Sequence, residues 1–214
     1  NGVDATSFTV VNSSQITAVF PAGAVDGTIT ITNNGGTATS PTTFIALPTP
    51  TVGVSSNVTI CSGQSTPLIA TGGATYSWSP ATGLSATTGS TVTANPTVTT
   101  TYTVTGTGAN GCQSSDTVIV TVNNPVVVTG QTPEAPVLPG QSKTITVTAT
   151  GSITGYQWMV SEDSGVSFTN LENSDIYQGV TTNQLTISGI TFEMSGLVYK
   201  CVVTGSLPCG NAES

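Results

Sequence analysis

The sequence predicts an all-β chain built from small sandwiches in tandem, and three observations lead there. Apolar residues alternate with Thr and Ser over short runs, while helical periodicity is nearly absent. Thr is the commonest residue, at about a fifth of the chain, which suits pleated half-buried strands. Gly (24) and Pro (12) punctuate those runs as turn residues do. Hydrophobic residues make up 36 % and the mean hydropathy is +0.19, too apolar for a disordered charged tail.

Pro-containing joints at Leu47-Pro48-Thr49-Pro50 and Asn123-Asn124-Pro125 divide the chain into residues 1–47, 48–123 and 124–214. Pro fixes φ and restricts the residue before it, so both joints are expected to be short, extended and stiff. In the first block, strands are predicted at Ser7–Val11, Gln15–Phe20, Gly27–Thr32 and Thr37–Ser40, with Phe44-Ile45 closing. Asn33-Asn34-Gly35-Gly36 supplies the positive-φ residues of a tight hairpin. This block is too small to bury a full sandwich core, so its first strands are expected to be missing or supplied from elsewhere.

In the second block the predicted strands are Val58–Cys61, Pro67–Thr71, Thr75–Ser79, Thr91–Ala94, Thr100–Thr105 and Thr117–Val122. Tyr76 and Trp78 stand two apart and share a face, as do Tyr102 and Val104. In the third block Ile145, Val147 and Ala149 form one inward row, Tyr156, Trp158 and Val160 a second, and Tyr199, Cys201 and Val203 a third. A turn is expected at Glu162-Asp163-Ser164-Gly165, and the block lacks the last strand of a sandwich. The chain opens at Asn1 with no Met and no apolar leader, which reads as a piece of something longer.

Charge narrows the function. Charged residues are only 6 %, against about 25 % in ordinary globular domains. Ten acidic residues face Lys143 and Lys200 alone, for a net charge of −8, so no patch exists to bind phosphate. Nucleic acid and an anionic membrane surface are therefore poor partners. Apolar runs such as Pro125–Val128 fall far short of the ~20 residues of a membrane helix, so no membrane insertion is expected. With no His and no Arg, most acid–base and phosphoryl-transfer chemistry lacks its usual groups, and the chain reads as non-enzymatic.

Particular segments resemble known modules. Residues 1–44 resemble the second half of an IPT/TIG domain, an immunoglobulin-like fold. The second block carries C-S-G-Q-S from Cys61, Y-S-W-S-P from Tyr76, T-T-T-Y-T-V from Thr99 and N-G-C from Asn110. These together resemble the Ig/PKD-like repeats of large Bacteroidetes surface proteins exported by the type IX secretion system. The third block is similar to Ig-like repeats of the same proteins. Its Trp158 and Gly196…Tyr199-Lys200-Cys201 echo the strand C Trp and the strand F tyrosine motif, but Thr148 and Ala149 stand where a strand B Cys would be. Strings of such modules occur in SprB-type gliding-motility adhesins.

The resemblance implies tandem immunoglobulin-like β-sandwich domains, the first and last incomplete, in a structural or adhesive stalk at a bacterial cell surface. The implied partners are other modules of one long chain, further copies in filaments, and surface polysaccharide; no cofactor is implied. A second reading is a polysaccharide-binding accessory region of a secreted enzyme. At ~3.4 Å per strand residue each sandwich is about 35–40 Å long, so three end to end make a shaft of about 100 Å.

Four Cys in an acidic chain suggest an oxidising compartment and allow three connectivities. The block boundaries favour Cys61–Cys112 and Cys201–Cys209. No two Cys have CxxC spacing, which argues against a redox or zinc site. Trp78 and Trp158 are expected in the core, with sugar stacking as the alternative. Glu162, Asp163 and Asp175 are candidate calcium ligands, although no D-x-[DN]-x-[DN]-G loop is present. Lys143 and Lys200 are read as surface lysines, with an isopeptide cross-link as the alternative. Thr117, in Asp116-Thr117-Val118, matches the D-[ST]-apolar motif that Bacteroidetes O-glycosylate on exported proteins.

Overall fold

The computed structural model describes residues 4–21 and 24–214, and their regular structure is almost wholly β. Two antiparallel hairpins come first: β1 (Ser7–Asn12) with β2 (Gln15–Val19), and β3 (Gly27–Asn33) with β4 (Gly36–Phe44). The second turns where expected: Asn33 Oδ1 accepts the Gly35 amide at 2.8 Å, and Gly36 takes φ +135°. β4 does not stop at Ser40 but continues through Pro41, which has no N–H to give a ladder. A bulge opposite Ile29 absorbs it. There the Ile29 amide donates to Ser40 Oγ (2.9 Å), and that hydroxyl donates to the Thr42 carbonyl (2.7 Å). Phe20 and Phe44 stack at 4.5 Å. No residue described between 4 and 47 is buried, and Phe8, Val10 and Ile31 stay exposed, because two-stranded ribbons have no second layer to cover an apolar face.

The next strands form a two-sheet sandwich: β5 (Gly53–Val54), β6 (Val58–Cys61), β7 (Thr66–Thr71), β8 (Thr75–Ser79), β9 (Thr91–Ala94), β10 (Thr100–Thr107) and β11 (Gln113–Asn123). One sheet has the order β6-β11-β10-β8 and the other β5-β7-β9. β11 starts earlier than the sequence suggests, because Thr105, Gly106 and Thr107 extend its ladder to Ser115, Ser114 and Gln113. Alternate residues fill the core: Leu68 and Ala70, Trp78, Val92 and Ala94, Tyr102 and Val104, Val118 and Val120. The polar tips of the large side chains are satisfied. Trp78 Nε1 donates to the Gly89 carbonyl (2.9 Å) and the Tyr102 hydroxyl to that of Thr82 (2.7 Å).

A second sandwich follows: β12 (Val127–Gln131), β13 (Lys143–Thr150), β14 (Ile153–Ser161), β15 (Thr169–Asn170), β16 (Tyr177–Gln178), β17 (Gln184–Ile187), β18 (Val198–Gly205) and β19 (Ala212–Glu213). Its sheets run β12-β13-β17-β16 and β15-β14-β18-β19. Val147, Trp158, Leu185, Ile187, Cys201 and Val203 meet inside. The two sandwiches align through their central pairs, since Val104 lies opposite Trp78 as Cys201 lies opposite Trp158. β19 is short: two residues pair with Val202 and Val203, where β11 pairs along eight residues of β10.

Where the chain comes into each sandwich, a glycine stands at the same place. Gly72 (φ +85°) follows β7, and its missing Cβ leaves room for the Thr51 backbone. Gly151 (φ +112°) follows β13 and does the same for Pro125. A side chain at either site would meet backbone in a left-handed conformation, so the incoming chain lies flat across the sheet end only because these are glycines.

Candidate functional site

The disulfide is where structure and sequence reading part. Cys61 bonds to Cys209, with the Cα atoms 5.1 Å apart, while Cys112 and Cys201 remain thiols. The expected pairs Cys61–Cys112 and Cys201–Cys209 do not form. β6 runs parallel to the end of β11, which places Cys61 opposite Asn123. Cys112 precedes β11, so the strand's length of roughly 35 Å separates them, where a disulfide needs Cα atoms within about 7 Å. Cys201 sits mid-strand in β18 with its side chain in the core beside Trp158. Cys209 lies beyond the end of that strand, in the loop before β19. Burial pushes the Cys201 thiol up to about 11, which keeps it protonated and poorly nucleophilic at neutral pH.

The bond crosses the joint between the sandwiches, and polar contacts surround it. Asn123 accepts the Ser62 amide on its carbonyl (2.8 Å), and its Nδ2 donates to the Leu207 carbonyl (2.8 Å). The Asn124 amide donates to Ser152 Oγ (2.9 Å), and the Ser206 amide to the Ser152 carbonyl (2.8 Å). Gly205 lacks a Cβ where Gly210 and Val126 close in. The earlier joint is held more lightly. Asn110 Nδ2 donates to the Pro48 carbonyl at 2.7 Å, and the Cys112 sulfur lies 3.8 Å from that of Leu47.

The remaining expected positions do not converge. Trp78 and Trp158 are 4 % and 1 % exposed, so neither presents a face to a sugar. Asp163 spends its carboxylate on its own loop: it accepts the Val166 and Ser167 amides at 3.0 and 2.8 Å, and the hydroxyls of Ser161 and Ser167. Glu162 and Asp175 are exposed in separate turns, and among the described residues no three His, Cys, Asp or Glu form a metal-holding group. Lys143 Nζ donates to the Ala135 carbonyl (2.9 Å); Lys200 Nζ pairs with Glu213 (3.0 Å) and lies over the Phe168 ring. Neither Lys nitrogen has an Asn or Asp as its partner in these bonds. Thr117 is exposed on β11, and its amide donates to Asp116 Oδ1 at 2.8 Å. The other Asp116 oxygen accepts the Val54 amide across the sandwich (3.1 Å).

A cleft of about 920 Å³ opens between Gln131–Pro139 and the start of β18, with Ile190, Phe192 and Tyr199 in its lining. Lys143 and Glu134 line it, but no acid–base pair meets there. Tyr199 is held by Tyr177, hydroxyl to hydroxyl at 3.1 Å, and burial raises it well above the ordinary tyrosine range. No helix among the described residues is long and apolar enough to cross a membrane.

The Asp163 loop carries a pH prediction. Donors from Ser167, Ser161 and Val166 stabilise its ionised form and hold it well below the usual carboxylate range. The contribution is complete above the unfolded value near 4 and fades as pH falls below that toward the lowered folded value. NMR titration is expected to keep the Ser167 amide shift flat from pH 7 to about pH 4. A midpoint at or above 4 would show that these donors do not grip the carboxylate.

Comparison with known proteins follows the architecture. A family described as "Ig-like domain CHU_C associated" matches residues 48–125. A search of curated protein sequences returns no match. Among solved structures, Sidekick-1 immunoglobulin domains 1–5 are 19 % identical with a TM-score of 0.58, over 97 % of this chain and 49 % of that one. The titin I-band fragment I67–I69 is 18 % identical with a TM-score of 0.56, over 79 % and 64 %. Three N-terminal domains of the bacteriophage RB49 outer capsid protein Hoc are 14 % identical with a TM-score of 0.54, over 92 % and 88 %. The chain thus spans about half of the Sidekick-1 chain and just under two thirds of the titin fragment. The fold is tandem immunoglobulin-like. The sequence signal for it lies in the central segment, and the structural likeness extends over most of the chain.

Proposed function

We propose that this chain is a structural and adhesive stalk segment of a large bacterial surface protein of the type IX-exported kind, in which the N-terminal hairpins are an IPT/TIG module. The observation that carries this reading is the joint: two sandwiches in series, bolted by Cys61–Cys209 and the Asn123 side chain. A joint fixed in this way serves a part whose work is to hold a direction. A disulfide suits an oxidising location outside the cytoplasm. In this reading the partners are further modules of the same chain, or other copies in a filament used for gliding or attachment, and Thr117 carries a glycan on an exposed strand. Polysaccharide binding keeps no support from the two tryptophans, which are in the cores.

Small-angle X-ray scattering tests the shape. The stalk reading expects a rod with a maximum dimension of about 100 Å, from three modules of about 35–40 Å each. A particle near 60 Å across, with its modules folded back on one another, would defeat it.

A further inference from the structure

We infer that the Cys61–Cys209 bond is a load bypass, which carries tension past both sandwiches and limits how far the chain extends. This deepens the stalk reading and rests on connectivity. The two cysteines are 148 residues apart in sequence and 5.1 Å apart in space. The bond closes a covalent ring that holds β7 to β18, and so nearly all of both cores. A pull on the two ends follows the shortest covalent path. It runs along the backbone to Cys61, across the two sulfurs, and out through the last residues from Cys209 to Ser214. The ring carries no tension.

Sheet order shows what the bypass protects. β6 and β11 are parallel, with Val58 opposite Val120 and Cys61 opposite Asn123. Without the bond, load enters through β6 and leaves through the end of β11, which shears that four-residue ladder. With the bond, load leaves at the sulfur of the last β6 residue, and the ladder is off the path. The second sandwich gains likewise. Tension would otherwise pass from β12 across the fold to β19, whereas with the bond it is taken up at Cys209 and runs out along the backbone through β19 to Ser214 without crossing the sandwich. Ser62, Asn123 and Leu207 hydrogen-bond around the two cysteines and hold the sites together.

The bypass is reversible. A dithiol reductant passes two protons and two electrons to the sulfurs of Cys61 and Cys209, and leaves as its own cyclic disulfide. The S–S bond breaks and the ring opens into the load path.

Single-molecule pulling of the whole chain by its two ends tests this. Fully stretched, the oxidised chain is expected to be shorter than the reduced chain by roughly 500 Å, the length of the ring at 3.3–3.6 Å per residue. The same protein before and after dithiothreitol gives the comparison, and contour length at high force does not depend on how well any variant folds. The double variant Cys61→Ser/Cys209→Ser is expected to show the full length without reductant. No difference on reduction would overturn the inference. So would a difference of about 170 Å, which would report Cys61–Cys112. A compact scattering particle would defeat the stalk reading and leave the length difference standing, so the two failures are distinguishable.

Discussion

Replacing both Cys61 and Cys209 by Ser is expected to lower the thermal midpoints of both sandwiches by on the order of 20 °C. When the C-terminal sandwich unfolds alone, the backbone still holds it at Pro125 and the sulfur still holds it at Cys209. That closes a loop of about 85 residues in the unfolded state, worth about 4–5 kcal/mol by chain entropy. The central sandwich gains in the same way through the loop from Cys61 to Asn123, worth about 4 kcal/mol. Each kilocalorie moves the midpoint of a domain this size by about 4–8 °C. The double variant is the right test, because a single replacement leaves an unpaired thiol at the joint, free to link two copies of the chain. Differential scanning calorimetry, with and without a dithiol reductant, reads both transitions. Unchanged midpoints would mean that the bond does not constrain the folded pair. A fall in only one transition would mean that the other sandwich is not part of the ring.

Trp158→Ala is expected to cost about 3–5 kcal/mol, a large share of the roughly 5–15 kcal/mol that holds a domain together. The side chain is 1 % exposed, and its Nε1 donates to the Thr182 carbonyl at 2.9 Å. Removing it opens a large cavity opposite Cys201 and orphans that carbonyl. Trp158→Phe keeps a ring in the cavity and loses the donor, so it is expected to cost less, about 1–3 kcal/mol. Near-UV circular dichroism and the second calorimetric transition report the loss. A cost under about 1 kcal/mol for the Ala variant would place the indole outside the core and revive it as a ligand platform.

What was legible in the sequence was what depends on near neighbours. Trp78 and Trp158 each stand two residues after a tyrosine on a strand, and each lies in its core as that spacing predicts. The Asn33–Gly36 turn is likewise where its residues place it. β4 runs past the expected end at Ser40, through Pro41, because Ser40 Oγ takes up the Ile29 amide and the ladder continues. Asp163 reads as a free carboxylate until its loop closes and donors three and four residues on claim its oxygens.

The cysteines belong to a different order of information. Grouping them by segment suggested a bond inside each sandwich, and the bond lies between them. Alternation along the chain dictates that these strands form and which side faces in, because successive side chains on a strand point opposite ways. It is silent on which strand ends lie side by side. Sheet order decides that: β6 beside β11 brings Cys61 to the exit of one sandwich, and the loop after β18 brings Cys209 to the entrance of the next. The partner of a cysteine, and with it the path that tension takes, is thus a property of the folded arrangement.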